Sequence, residues 1–195
     1  MAVLMTLEVP GGTTAKYDRT NEIMGIADER DSPPGLISHV CGVTGDGILV
    51  VDVWDSVISL DDFARNRFQA ALEQAEMPDA TPHVSPVHNM LFGAGTEANV
   101  IVLIDMAGLT KEAYDAIIAK MPADVGSGEN HPSVMHVAAL EPDGHLRIAD
   151  VWDSGESFAN FAQNQIGPAA GALPPMEPRI VPIYNRMRAQ SRAAT

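Results

Sequence analysis

The sequence predicts an α+β protein built from two tandem units, each with the order strand-helix-strand-strand-helix-strand. The pentapeptide DVWDS at residues 52–56 recurs unchanged at residues 150–154. Further identities occur at nearly the same spacing, and a recurrence of this kind indicates an internal repeat. The matching pairs include Tyr17 and Tyr114, His39 and His136, Phe63 and Phe161, and Asn89 and Asn185.

The repeat sets the expected domain organisation. The first unit is predicted to span residues 1–92 and the second residues 99–188, with a linker at 93–98 and a tail at 189–195. The linker contains Gly93-Ala94-Gly95-Thr96, which is too short to let the two units move far apart.

The first half of unit one alternates extended and helical signals. Val3 to Val9 is apolar and rich in β-formers, and the following Pro-Gly-Gly sequence ends that strand. Thr13 is a suitable cap for a helix that runs to about Met24. Strands at Leu36–Cys41 and Ile48–Trp54 then flank a Gly-Asp-Gly turn, which favours a hairpin.

The second helix of unit one is predicted to open at a capping box formed by Ser59 and Asp62. Its apolar residues recur at helical spacing, and a fourth strand follows at Val84–Met90. In unit two the same order returns, and Gly167-Pro168 is expected to shorten the second helix. Its strands are predicted at Asn99–Met106, Val134–Leu140, Leu146–Trp152 and Ile180–Asn185.

Each unit therefore supplies a four-stranded sheet with two helices on one face. The opposite face of each sheet is also apolar and must be covered. We expect the two sheets to pack face to face within one chain.

Composition limits the classes of function. The net charge of −14 repels phosphate backbones and anionic lipid, so neither nucleic acid nor a membrane is an expected partner. No run approaches the roughly 18 apolar residues of a membrane span. Cys41 is the single cysteine, which fits a reducing cytoplasm and a core role. A small-molecule ligand and a monomer or homodimer are expected.

The strand-hairpin-Trp-Asp-Ser-helix pattern, with Ser157-Phe158-Ala159-Asn160-Phe161 after Trp152, resembles the dimeric α/β-barrel superfamily. Within it, the pattern is most similar to antibiotic-biosynthesis-monooxygenase domains, once in each repeat. The resemblance implies two ferredoxin-like repeats that form a pseudo-dimeric α/β barrel in one chain. It also implies a small-molecule cavity between sheet and helices, and oxidation without a cofactor.

Differences between the repeats suggest where a site lies. At four positions unit one has a polar residue where unit two has a different side chain. A polar group on a core-facing stripe lowers stability unless it is satisfied. Either these side chains line a polar pocket in unit one, or they lie at the stripe edge and meet water. The pairs are Thr20 and Ile117, Asn21 and Ile118, Arg67 and Gln165, and His88 and Tyr184.

Two histidines are candidate general bases. His88 occurs in unit one only, whereas His39 has a counterpart in both units and can equally hold a fold contact. Asp52 and Trp54 lie on one strand face by alternation. Asp52 can orient a histidine or bond to the hairpin, and Trp54 can line a cavity or anchor the core.

No spacing typical of a metal site or a nucleotide-binding loop occurs, so neither metal nor cofactor is expected. The leading hypothesis is an enzyme that oxidises an apolar or aromatic substrate, or transfers a proton on it. His88 or His39 would act as base, and Thr20, Asn21, Arg67, Trp54 and Asp52 would bind substrate. The alternative is a non-catalytic barrel that binds a ligand or has a structural role.

Overall fold

A computed structural model describes residues 1–171 and 177–188, so the predicted tail at 189–195 lies outside the described residues. The chain divides into two compact units. From here on, the first unit means residues 1–84 and 184–188, and the second unit means the described part of residues 85–183. These bounds differ from those of the two sequence repeats, because the chain divides within the last strand of each repeat. Among these described residues, no helix combines the length and apolar character that a membrane span requires.

The described residues form eight strands, four in each repeat, and two main helical regions in each repeat. They follow the predicted order. The strands are β1 Val3–Pro10, β2 Leu36–Val43, β3 Gly47–Trp54, β4 His83–Phe92, β5 Val100–Thr110, β6 Met135–Leu140, β7 His145–Trp152 and β8 Arg179–Arg188. The α-helices are α1 Thr14–Met24, α2 Val57–Phe63, α3 Gln69–Gln74, α4 Lys111–Ile118, α5 Ala123–Gly126, α6 Gly155–Phe161 and α7 Gly167–Ala170.

The strands are hydrogen-bonded in the order β1-β3-β2-β8-β5-β7-β6-β4 and close into a barrel. The α+β class and the single-chain barrel predicted from the sequence are thereby confirmed. Strand pairing also crosses from one repeat to the other. β4, for example, pairs with β6 of the second repeat over residues 87–92.

In the first unit, β3 is the central strand and sets the register of both neighbours. It pairs antiparallel with β1, placing Trp54 opposite Val3, and with β2, placing Asp52 opposite His39. Most of β3 is buried, which explains its continuous apolar sequence. The two polar groups brought together at Asp52 and His39 are therefore held away from bulk water.

Side-chain caps define where the helices begin. Thr13 accepts a hydrogen bond from the Lys16 amide, as predicted, and α1 ends at Gly25 in the left-handed conformation (φ 67°). The predicted capping box at Ser59 and Asp62 is wrong. Helix α2 begins three residues earlier because Ser56 is its cap and accepts a 3.2 Å hydrogen bond from the Ser59 amide.

A π-helical turn interrupts the second helical region of both repeats, at Ala64–Phe68 and Ala162–Ile166. The turns lie 98 residues apart, the same spacing as the two copies of DVWDS.

Gly167-Pro168 does not end the helical region. Gly167 has helical φ and ψ of −53° and −52°, and proline is tolerated in the first turn of α7.

The core of the second unit contains a buried histidine. His131 is 5% exposed, and its ring lies 4.7 Å from Phe161 and 5.9 Å from Trp152 between centroids. Burial is the main cause that lowers the pKa of His131 to about 4, and nearby His136 lowers it further. The imidazole is therefore neutral at physiological pH.

Substitution of Gly47 by alanine tests the close packing of the hairpin. A Cβ at this position would lie 2.1 Å from the carbonyl oxygen of Val9, which belongs to the backbone of the paired strand. We expect Gly47→Ala to lower the free energy of unfolding by about 1–3 kcal/mol in urea denaturation. The control is Gly45→Ala, because a Cβ there meets no atom within 4 Å. Equal stability of the two variants would contradict the packing described.

Acid titration tests the burial of His131. The pKa of His131 is about 4 in the folded protein against an ordinary value of 6.5, so the unfolded chain binds the proton more readily. The neutral imidazole thus favours folding fully above about pH 6.5, and this contribution is lost as the pH falls toward 4. Between about pH 6.5 and pH 4 this titration lowers the free energy of unfolding by on the order of 3 kcal/mol, and His131→Gln should remove that loss.

The measurement is the free energy of unfolding at several pH values. The control for loss of a histidine as such is His83→Gln at an exposed position, and the pH slope of His131→Gln is compared with the slope of that variant. A His131→Gln variant with an unchanged pH slope would show that His131 does not titrate as described.

Candidate functional site

The first unit encloses a cavity of about 260 Å³ with predominantly apolar walls. Side chains from β1, β3, α1 and α2 surround it, so the cavity lies between the sheet and the helices. A few polar groups interrupt the apolar wall, an arrangement typical of small-molecule sites. Residues used below from this lining are Tyr17, Asn21, His39, Asp52, Trp54 and Phe63.

A chain of four hydrogen-bonded groups runs along one wall of the cavity. The Asn185 amide nitrogen lies 3.1 Å from the Tyr17 hydroxyl, which lies 2.7 Å from His39 Nε2. His39 Nδ1 lies 2.7 Å from Asp52 Oδ1. His39 and Asp52 are 8% and 5% exposed, so the pair is shielded from solvent.

The chemistry of the two end groups fixes the direction of this chain. An amide nitrogen only donates, so Asn185 donates to the Tyr17 oxygen, and a carboxylate only accepts, so His39 Nδ1 donates to Asp52. His39 Nε2 then accepts the Tyr17 hydroxyl proton. Burial raises the pKa of Tyr17 well above its usual range, which keeps the hydroxyl protonated and able to donate.

The indole nitrogen of Trp54 is the unsatisfied group of this site. Trp54 is fully buried and lines the cavity, and its Nε1 has no hydrogen-bond partner among the residues that the structure describes. In the second unit the equivalent Trp152 Nε1 donates to Asp150 at 3.2 Å. A buried donor without a partner costs about 1–3 kcal/mol.

The second unit repeats the chain of hydrogen bonds. Asn89 donates to the Tyr114 hydroxyl at 2.9 Å, and that hydroxyl lies 2.7 Å from His136 Nε2. His136 Nδ1 lies 2.8 Å from Asp150. The network is therefore a feature of both units, whereas the free indole N–H belongs to the first unit.

The structure brings five predicted site residues to one cavity: Thr20, Asn21, His39, Asp52 and Trp54. Thr20 is buried and donates to the Lys16 carbonyl at 2.8 Å, so its hydroxyl proton is already used within α1. Arg67 is not part of the lining, and its guanidinium donates to the Met24 carbonyl. Its role in substrate binding stays a prediction.

His88 lies in the second unit and outside the cavity lining. Its Nε2 is 2.6 Å from Asp115, and its ring lies edge-on to Tyr114 at 5.7 Å. His88 lies on β4, the last strand of the first repeat. Over residues 87–92, β4 pairs with β6, which is a strand of the second repeat. A catalytic role of His88 stays a prediction, and the arrangement around His39 gives it no support.

Two residues of the network were not singled out as site residues from the sequence. Tyr17 and Asn185 recur as Tyr114 and Asn89, and this shared recurrence was the available signal.

Cys41 is fully buried and burial raises its pKa to about 12, consistent with a core role. Within the described residues, no cluster of three or more His, Cys, Asp or Glu side chains is arranged to hold a metal ion.

Solved structures with the same fold include two monooxygenase candidates and an oxidase-like protein. A candidate monooxygenase from Lactobacillus acidophilus NCFM superimposes with a TM-score of 0.66 and 12% identity, covering 96% of each chain. A second, from Fusobacterium nucleatum subsp. nucleatum ATCC 25586, has a TM-score of 0.66 and 8% identity, covering 96% of this chain and 94% of that one. An anthrone oxidase-like protein has a TM-score of 0.50 and 14% identity, covering 99% of this chain and 95% of that one.

No family model and no curated protein matches the sequence. At identities of 8–14% the structural likeness shows the fold alone. The fold that they share with this chain agrees with the single-chain α+β barrel predicted from the sequence.

Proposed function

We propose that the first unit binds an apolar or aromatic small molecule in its cavity and oxidises it, or transfers a proton on it, without a cofactor. The observation that carries the proposal is one wall of the cavity. The hydrogen-bonded Tyr17, His39 and Asp52 (the relay) line the same cavity as Trp54, whose indole N–H is unpaired among the described residues. An apolar cavity with a few convergent polar groups is the usual form of an enzyme site for such ligands.

The first chemical step is proton transfer through the relay. An acidic C–H or O–H of the substrate gives its proton to the Tyr17 oxygen while the Tyr17 hydroxyl proton moves to His39 Nε2. The substrate keeps the electron pair as an anion, and Asp52 stabilises the imidazolium at 2.7 Å. Because the pKa of Tyr17 is raised, the two transfers are coupled and no free phenolate is required.

Oxidation follows when dioxygen reacts with the substrate anion. For a ring methylene the overall reaction is R₂CH₂ + O₂ → R₂C=O + H₂O, so one oxygen atom enters the product and the other leaves as water. The four electrons come from the substrate carbon. Donation from Trp54 Nε1 to a substrate oxygen would stabilise the enolate-like charge that develops there. Asn21, also in the lining, is placed to orient the same ligand.

The names of the structural neighbours agree with this chemistry. Two are monooxygenase candidates and one is anthrone oxidase-like. An anthrone contains both an acidic methylene and a ring carbonyl, so it suits the relay and the indole donor. Anthrone is therefore the first substrate to test.

A non-catalytic ligand-binding barrel is the second candidate. It is favoured by the presence of the same Asn-Tyr-His-Asp chain in the second unit, where the network serves the fold. Under this alternative the cavity binds a ligand, and the relay only holds strands and helix together.

Tyr17→Phe separates these two candidates. The substitution removes the hydroxyl that passes the proton to His39, so anthrone-dependent oxygen uptake should fall about 100-fold or more. Tyr114→Phe is the matched control, because it removes an equivalent hydroxyl with the same partners in the second unit. Oxygen consumption and quinone absorbance are measured together on both variants.

The control variant should keep the oxygen uptake of the unsubstituted protein after correction for folded fraction. Equal loss in both variants would assign the network to stability alone. No uptake by the unsubstituted protein above that of Tyr17→Phe would overturn oxidation of this substrate class.

Trp54→Phe tests the indole N–H as the donor to the ligand. Removing one hydrogen bond of about 1 kcal/mol should weaken anthrone binding roughly fivefold under anaerobic conditions. Binding of 9,10-dihydroanthracene, which lacks the carbonyl, should change much less. Both affinities are measured by isothermal titration calorimetry.

Trp152→Phe is the control for this substitution, because the Trp152 N–H is already bonded to Asp150. Its affinity for both compounds should match that of the unsubstituted protein. An equal loss of affinity for anthrone and 9,10-dihydroanthracene in Trp54→Phe would show that the indole acts only by packing.

A further inference from the structure

We propose that the second unit keeps the framework of this site but is closed by His131, so that each chain binds one ligand, in the first unit. The identity of the ligand rests on the proposed function. The closure itself rests on the packing of the second unit and is tested without a substrate.

His131 occupies the space beside the aromatic residues that correspond to the cavity wall. In the first unit Trp54 and Phe63 lie 5.1 Å apart between ring centroids and line the cavity. In the second unit Trp152 and Phe161 lie at a similar 5.4 Å, and the His131 ring packs against both.

Local hydrogen bonds hold the imidazole in this position. His131 Nδ1 lies 2.8 Å from the Ser133 hydroxyl and accepts from the Ser133 amide at 3.3 Å. The ring also lies 5.7 Å from His136, the histidine of the second relay. Because burial lowers the pKa of His131, the ring stays neutral and compatible with its aromatic surroundings.

The first unit has no histidine at the corresponding position. The residue 97 positions before His131, the spacing that relates His39 to His136, is Pro34, which is exposed. Its neighbour Pro33 lines the cavity from the edge. The loop before β2 therefore leaves open the space that the loop before β6 fills.

Larger side chains complete the closure. Thr20 and Leu60 line the first cavity, and their counterparts in the second unit are Ile117 and Phe158. Both counterparts are buried in the core that also contains Trp152 and Phe161. Protein interiors are close-packed, so each added methyl or ring removes volume from a cavity.

The polar groups of the second unit also have protein partners. Trp152 donates to Asp150, whereas the equivalent Trp54 N–H is free. A ligand in the second unit would have to displace the His131 ring and would find the indole donor already used. Both shape and hydrogen bonding thus favour the first unit as the ligand site.

Xenon bound in crystals under pressure tests the closure directly, because dry apolar cavities bind xenon. In the unsubstituted protein we expect xenon in the cavity of the first unit and none beside Trp152. In His131→Ala we expect an additional xenon between Trp152 and Phe161, where the imidazole was. Pro34→Ala is the matched control and should add no xenon.

Xenon beside Trp152 in the unsubstituted protein would overturn the proposal, and this arm needs no variant to fold. Absence of added xenon in well-ordered crystals of both His131→Ala and His131→Ser would also overturn it, since the ring would then close no cavity.

Calorimetry with anthrone connects the closure to the ligand. One anthrone per unsubstituted chain is the expected stoichiometry, and two per chain would overturn the proposal. Absence of anthrone binding would count against the proposed function alone, because the xenon experiment still decides whether His131 closes the second unit.

Discussion

The buried hydrogen bond between His39 and Asp52 is the interaction on which the rest of the first unit depends. A polar pair at 8% and 5% exposure is tolerated only if each group is satisfied. Satisfaction requires β2 and β3 in one register, since a shift of one residue would turn Asp52 to the other face. It also requires Tyr17 from α1 and Asn185 from β8, so one network fixes a helix and three strands. The cavity lies where those elements meet.

The fold could be predicted from the sequence because the relevant signals are local. Apolar runs, turn residues and the repeated DVWDS segment predicted the eight strands in order, and the structure has strands at each of these places. The partner of each edge strand within the barrel was not predicted. Hydrophobic pattern shows which face of a strand is buried, but it carries no information on which strand pairs with its free edge. The pairing of β4 with β6 follows from the geometry of the whole ring of strands.

The same distinction explains the prediction of the site. Asp52 and Trp54 were placed on one face by strand alternation, and both line the cavity. Tyr17 and Asn185 are bonded across 168 positions, and no local pattern relates them. His88 was predicted as a base because the second repeat lacks an equivalent histidine. A difference between repeats does not reveal which unit a strand joins. The unpaired N–H of Trp54 depends on side-chain orientation, which sequence spacing does not determine.

The similarity of the two units provides an internal comparison that separates stability from function. Features shared by both units, above all the Asn-Tyr-His-Asp chain, serve the fold whatever else they do. Features found in one unit need another cause. An unsatisfied indole N–H costs about 1–3 kcal/mol, a sizeable part of a typical total stability of about 5–15 kcal/mol. The second unit avoids this cost by pairing Trp152 with Asp150 and filling the space with His131. The same remedy was open to the first unit, so its absence is best explained by a ligand that completes the site.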